Sequence, residues 1–234
     1  MVTTETTRTI VGIIGNVISF FLFLSPVPTF AKIWKAKSVQ EFKPDPYVAT
    51  VLNCMMWVFY GLPIVHPDSV LIITINGIGL FIELTYVSIF LIYSPGQKRR
   101  RIVIYLLIEV IFMAIVIFIT LFVFHTTKNR SMFVGILAII FNVGMYTSPL
   151  TVMHMVIRTR SVKYMPFTLS LFNFFNGVIW VIYASLKFDP YVLAPNGLGS
   201  LSGLVQLLLY AYFYRTTQWD EDDKPPQKVQ LSEI

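Results

Sequence analysis

The first third of this chain reappears in its last third. Ser25-Pro26 recurs as Ser148-Pro149, and Lys37-Ser38-Val39 as Arg160-Ser161-Val162. Trp57-Val58-Phe59-Tyr60 recurs as Trp180-Val181-Ile182-Tyr183, and Asn76-Gly77-Ile78-Gly79 as Asn196-Gly197-Leu198-Gly199. A duplication constrains a fold more than any single motif, because each copy builds the same unit and the two must pack. The chain is 234 residues long, 56% hydrophobic and only 13% charged, with a mean hydropathy of +0.70. Soluble domains carry about 25% charged residues, so this chain is integral to a membrane. A repeat in such a chain makes two similar helix bundles that face each other, and a solute path would lie at their seam.

Seven apolar stretches approach the ~20 residues that a spanning helix needs: 9–31, 46–65, 69–92, 102–124, 132–156, 167–187 and 191–214. The first has no basic flank and is too long for a signal-peptide core, so it reads as an uncleaved span. Three spans invert a chain, and the unmatched fourth restores its direction, so the copies are parallel. The expected fold is therefore an all-α membrane protein with seven transmembrane helices. Its units are a three-helix repeat at 9–92, a linker helix at 102–124, a second repeat at 132–214 and a tail at 215–234. From Gln218 the tail is polar, with Asp220-Glu221-Asp222-Asp223 and Pro225-Pro226, and is expected to be disordered. The copies are offset by 123 residues at Ser25/Ser148 and Trp57/Trp180, but by 120 at Pro46/Pro166 and Asn76/Asn196. The register within the second span of each unit is thus open by about one turn.

The net charge of +6 does not point to nucleic acid, because basic residues alternate by loop. Fourteen, including Lys32, Lys98 to Arg101, Arg158 and Arg215, fall on one side, against Arg8, Lys128, Arg130 and Lys187 on the other. The positive-inside rule places the first group in the cytoplasm, with the N-terminus outside and the C-terminus inside. The sequon Asn129-Arg130-Ser131 then lies on an outer loop, where glycosylation is possible in principle. The basic inner loops suit anionic membrane lipid. Cys54 is the only cysteine, which excludes an intrachain disulfide.

Prolines 26, 46, 149 and 166 occupy repeat-matched places in the half assigned to the cytoplasm. A single interior proline is an ordinary static kink; matched pairs look like the hinges of an inner gate. Asn76 and Asn196 each precede glycine near the middle of a span. A carboxamide there ordinarily bonds a neighbouring helix. A symmetric pair can instead hold the hydroxyls of an uncharged solute, with Trp57 and Trp180 offering flat faces to sugar C–H groups. Tyr60 ends the second span and Asp189 follows the sixth, so a hydroxyl-to-carboxylate bond could close an outer gate. Glu83 and Glu109 are the acidic residues well within spans; such groups are proton-relay suspects, but neither has a repeat counterpart or a basic partner at its depth. No metal-ligand cluster, phosphate loop or nucleophile motif occurs, which argues against an enzyme.

Taken together, these residues resemble the SWEET sugar transporters, the MtN3/saliva family. The resemblance rests on Leu24-Ser25-Pro26-Val27-Pro28-Thr29-Phe30, Lys37-Ser38-Val39, Asn53-Cys54, Tyr60-Gly61-Leu62-Pro63 and Thr74-Ile75-Asn76-Gly77. In the second repeat it rests on Met145-Tyr146-Thr147-Ser148-Pro149-Leu150, Lys163-Tyr164-Met165-Pro166-Phe167 and Pro195-Asn196-Gly197. It implies facilitated sugar diffusion by alternating access, without a cofactor, and a plant-type, hexose-preferring member. It implies that Asn76, Asn196 and Trp180 line the pocket, that the four prolines form the inner gate, and that Tyr60 and Asp189 form the outer one. Trp57 holds a pocket position where many members carry a small residue. Asn142 and Met145, within two turns before Pro149, are expected to line the pocket too, and large Trp57 with Met145 leaves room for a monosaccharide. The expected location is the plasma membrane, with the vacuolar membrane as the alternative, and the expected assembly is a homo-oligomer. A seven-helix receptor shares the topology but lacks a repeat. An amino-acid carrier of the PQ-loop type would carry Pro-Gln at the inner kinks, where this chain has Pro26-Val27 and Pro149-Leu150. Proton-coupled sugar transport differs in energetics alone.

Overall fold

The structure is a computed structural model in which residues 3–145 and 147–219 are described. The described residues form nine α-helices and a final 3-10 turn. Helix α1 (Thr4–Leu24) starts on Thr3, whose hydroxyl accepts from the Thr6 N–H, and carries Glu5 in its first turn; both choices complement the unpaired N–H groups of a helix start. The span then breaks at Ser25-Pro26 and resumes as α2 (Val27–Ala36), because Pro26 has no N–H to continue the ladder. Helices α3 (Asp45–Gly61) and α4 (Val70–Tyr93) complete the first repeat. Helix α5 (Gly96–Phe122) follows. The second repeat is α6 (Thr127–Met145), α7 (Thr147–Thr159), α8 (Phe167–Leu186) and α9 (Pro190–Phe213). Its first span also divides, with Pro149 in the opening turn of α7.

The duplication extends to the backbone. Lys37 and Arg160, 123 residues apart, end α2 and α7 in the same left-handed conformation, each with φ 52°. Two residues on, Val39 and Val162 are both buried. Packing repeats as well: α3 lies on α4 as α8 lies on α9, and α1 on α4 as α6 on α9. Across the seam α1 meets α8 and α3 meets α6. Exchange of the repeats turns one of these contacts into the other. Gly15 sits at that seam, where a Cβ would stand 3.1 Å from the Trp180 ring, so glycine is what lets α1 approach the indole.

Six segments are long and apolar enough to cross a bilayer. The seventh span, α3, has 17 residues, the short end of the workable range. Phe81, Phe122 and Leu208 point outward, as a lipid-facing surface requires. Two boundaries differ from the sequence reading. Helix α5 starts at Gly96, six residues before the expected 102, since the helix runs on beyond the apolar stretch through Lys98 to Arg101 up to Pro95. The tail does not begin at 215: Tyr214–Thr216 form the 3-10 turn, and buried Thr217 accepts from the Val162 N–H at 2.9 Å. The left-handed turn at Arg160 frees that N–H, and the threonine hydroxyl satisfies it. The rest of the expected disordered tail, 220–234, lies outside the described residues.

Candidate functional site

The seam between the repeats holds a cavity of about 280 Å³, just below the ~300–1,000 Å³ typical of small-molecule sites. Trp57 from α3 and Trp180 from α8 both line it, each three residues before a buried tyrosine, Tyr60 or Tyr183. Each indole packs edge-on against that tyrosine, at 5.4 and 5.2 Å between ring centres. Asn76 and Asn196 line the same cavity. Asn76 donates from Nδ2 to the Ile72 carbonyl at 2.9 Å, and Asn196 to the Val192 carbonyl at 2.8 Å. Each carboxamide is thus oriented by its own helix and keeps one N–H and its oxygen for another partner.

Among the other expected residues, Asn142 lines the cavity. Met145 does not: it is the last residue of α6, where the span divides, and is 37% exposed outside the cavity lining. The prolines mark one end of each repeat, which we term the proline end. Pro26 caps α2, Pro46 lies in the first turn of α3, Pro149 in that of α7, and Pro166 caps α8. The Thr50 hydroxyl donates to the Pro46 carbonyl at 2.8 Å, and the Pro166 carbonyl accepts from the Ser170 N–H at 3.2 Å.

The opposite end is latched. Tyr60 Oη donates to Asp189 Oδ1 at 2.9 Å, joining α3 of one repeat to the start of α9 in the other. The same carboxylate oxygen caps α9 by accepting from the Tyr191 and Val192 N–H groups. His66, in the α3–α4 loop, stacks on Tyr60 at 4.7 Å and brings Nε2 within 3.3 Å of Asp189 Oδ2. Its Nδ1 lies 2.9 Å from Ser131 Oγ on α6. Outside this layer Lys187 pairs with Asp68, and Arg8 donates to the Asp68 carbonyl while lying over the Tyr183 ring. The Lys187 ammonium, by hydrogen bond and charge, holds the exposed Asp68 carboxyl below its ordinary range. Burial pushes the His66 imidazole down, and Asp189 opposes this.

Sequence reasoning did not single out Ser19, Asn176 or His66, and quoted Asn53 as a mark of the resemblance without placing it in the pocket. Ser19, Asn53 and Asn176 line the cavity. Trp180 donates to Ser19 at 3.1 Å, and Ser19 to Asn176 at 2.6 Å, a chain that fixes the indole across the seam. One signal was available: Asn53 and Asn176 stand at the 123-residue offset, as do Ser19 and Asn142. Glu83 also lines the cavity; it is buried, and its Oε2 has no partner. Glu109 lies apart, on α5 beside Asp45 and Tyr105. No group of three metal-ligating side chains occurs among the described residues.

A two-repeat helical membrane protein, with one polar, aromatic-walled cavity at the seam and a latch at one end, defines a transporter rather than an enzyme. The family model for sugar efflux transporters for intercellular exchange matches residues 9–98 and 132–218, the two repeats without most of α5. Over 96% of its length the chain is 67% identical to the bidirectional sugar transporter SWEET5 of Arabidopsis thaliana, covering 93% of that protein. It is 58% identical to SWEET4 of the same plant over 95% of the chain and 88% of the relative. The solved 3.7 Å structure of a eukaryotic SWEET transporter superposes with a TM-score of 0.87 at 38% identity, covering 91% of this chain and 99% of that one. The chain belongs to the SWEET family of sugar transporters.

Proposed function

We propose that this protein is a bidirectional uniporter for glucose or another monosaccharide. The observation that carries this reading is the cavity with Asn76 and Asn196 as matched polar groups between two indole walls. Five hydrogen-bonding asparagines and a serine on an aromatic frame suit a neutral polyol, and the volume suits one ring better than two. That relatives are bidirectional sugar transporters supports the substrate class.

The mechanism is alternating access. The two bundles rock about the Asn/Trp site, the Tyr60–Asp189 bond opens one end, and the proline breaks let α2 and α7 close the other. By the positive-inside rule the latched end faces outward and the proline end the cytoplasm, in the plasma membrane and as a homo-oligomer. Without an ion pair in the cavity to couple transport, sugar moves only down its gradient. Glu83 supports a second reading, proton-coupled transport, because a buried carboxyl with an unpartnered oxygen faces the same cavity.

Labelled-glucose uptake into liposomes holding the purified protein separates the two. Uptake whose end point is equal concentrations on both sides, whatever proton gradient is imposed, is expected. Accumulation above the outside level, abolished by Glu83→Gln, would establish coupling instead. Asn76→Ala and Asn196→Ala should each lower flux by about tenfold or more, the loss of one or two well-made hydrogen bonds, at normal expression. Sucrose flux equal to glucose flux would refute the monosaccharide assignment.

A further inference from the structure

We propose that His66 is a positioning residue of the outer latch, and that the latched state holds a proton between His66 and Asp189 which the open state releases. The inference rests on the transport reading only in taking the Tyr60–Asp189 contact as a gate. The proton count follows from the hydrogen bonds. Ser131 has one hydroxyl proton, and it goes to the Val65 carbonyl at 2.6 Å. Ser131 Oγ therefore accepts from His66 Nδ1 at 2.9 Å, so Nδ1 bears hydrogen. Tyr60 has likewise given its proton to Asp189 Oδ1, and meets Nδ1 at 3.3 Å only as an acceptor.

With Nδ1 protonated, a neutral ring turns a bare Nε2 lone pair toward Asp189 Oδ2, 3.3 Å away. Asp189 is 2% exposed, and Oδ2 has no hydrogen-bond partner. Two facing acceptors in a buried place are unfavourable, and leaving a carboxylate oxygen unpaired is costly. One proton on the Nε2–Oδ2 line removes both penalties. A neutral imidazole and a free carboxylate, as they would stand in water at neutral pH, have one proton fewer.

The surroundings oppose a charged ring yet supply no other donor to Oδ2. Arg8 on α1 and Lys187 beyond α8 disfavour imidazolium, Asp68 in the same loop favours it weakly, and burial disfavours it most. Arg8 is engaged with the Asp68 carbonyl and the Tyr183 ring, and Lys187 with the Asp68 carboxylate. Tyr60 and Tyr191 complete the ring of titratable neighbours. The carboxylate at Asp189 decides the balance, because its Oδ2, without a hydrogen-bond partner, lies 3.3 Å from Nε2.

The linkage has a definite sign. The state that binds the proton more tightly gains as pH falls, so external acid favours the latched state. The proton enters and leaves on the same side and does no transport work. Flux from the latched side should fall about three- to tenfold between external pH 8 and 6, the most that one unit of affinity difference allows. Two readouts test this: labelled-glucose flux at fixed internal pH, and modification from outside of a cysteine at position 76 in cells expressing the Asn76→Cys, Cys54→Ala variant. Both should slow in acid. Glutamine keeps an N–H donor without titrating, so His66→Gln should flatten both pH profiles, while His66→Phe keeps the ring stack but should label faster at every pH. A transporting wild type with flat profiles, or a His66→Gln protein with wild-type pH dependence, overturns the proposal. Absent glucose flux together with acid-slowed labelling would refute the transport reading and support the latch.

Discussion

The two ends of the cavity are held in opposite ways. At the latched end the bonds cross the seam: Tyr60 and His66 of the first repeat meet Asp189 and Ser131 of the second. At the proline end the contacts named here stay inside one repeat. In the first, Phe30 stacks on Tyr86 at 4.0 Å with Tyr47 and Phe90 around it, and Tyr86 donates to the Phe23 carbonyl. In the second, Ser170 donates to Gln206 at 2.9 Å beside the small cluster of Val156, Val162 and Met165. The difference teaches where motion is stored. In the proposed rocking, bonds across the seam must break for the cavity to open, whereas bonds within a bundle let it move as a rigid body.

The sharpest way to break the comparison is Asp189→Ala. It removes the latch and the cap of α9 together, so flux should fall by about tenfold or more and thermal stability by the ~1 kcal/mol of a lost cap plus the stranded Tyr60 hydroxyl. Tyr60→Phe keeps the cap, and should reproduce the flux defect with little change in melting; equal melting losses in the two variants would show that the cap, not the latch, matters. Phe30→Ala acts at the other end. It should cost about 3 kcal/mol, the low end for a buried phenylalanine because lipid is no worse a solvent than the core, read as a lower melting temperature while outside labelling and its pH profile stay unchanged. Ser170→Ala should cost about 0.6 kcal/mol, the average for a polar contact between membrane helices, without altering flux. Smallest of all is Lys187→Gln, which frees the exposed Asp68. Its carboxyl then returns up to the ordinary range, so what little the pair contributes above that range, and loses in acid, disappears at neutral pH with flux unchanged.

Residue identity made much of this legible and hid the rest. Trp57 and Trp180, Asn76 and Asn196, and the four prolines are the same residue in both copies, so the repeat exposes them. Tyr60 and Asp189 were paired through topology and the family resemblance, and they stand in contact. Ser19 and Asn142 differ in type at matched positions, and His66 lies in an α3–α4 loop longer than its α8–α9 counterpart, so a search for recurring letters passes over them. Met145 shows the converse: its place before Pro149 suggests the pocket, but it ends α6 exposed at the division of the span, outside the cavity lining.

By itself, then, the sequence determined the membrane class, the duplication and the chemistry placed at the seam, because hydropathy and recurring residues act locally along the chain. Only the tertiary structure decided which end is shut, which polar atoms are left unmet, and how many protons the latch must hold. Those depend on distances between residues more than 100 positions apart, set by packing one bundle against the other.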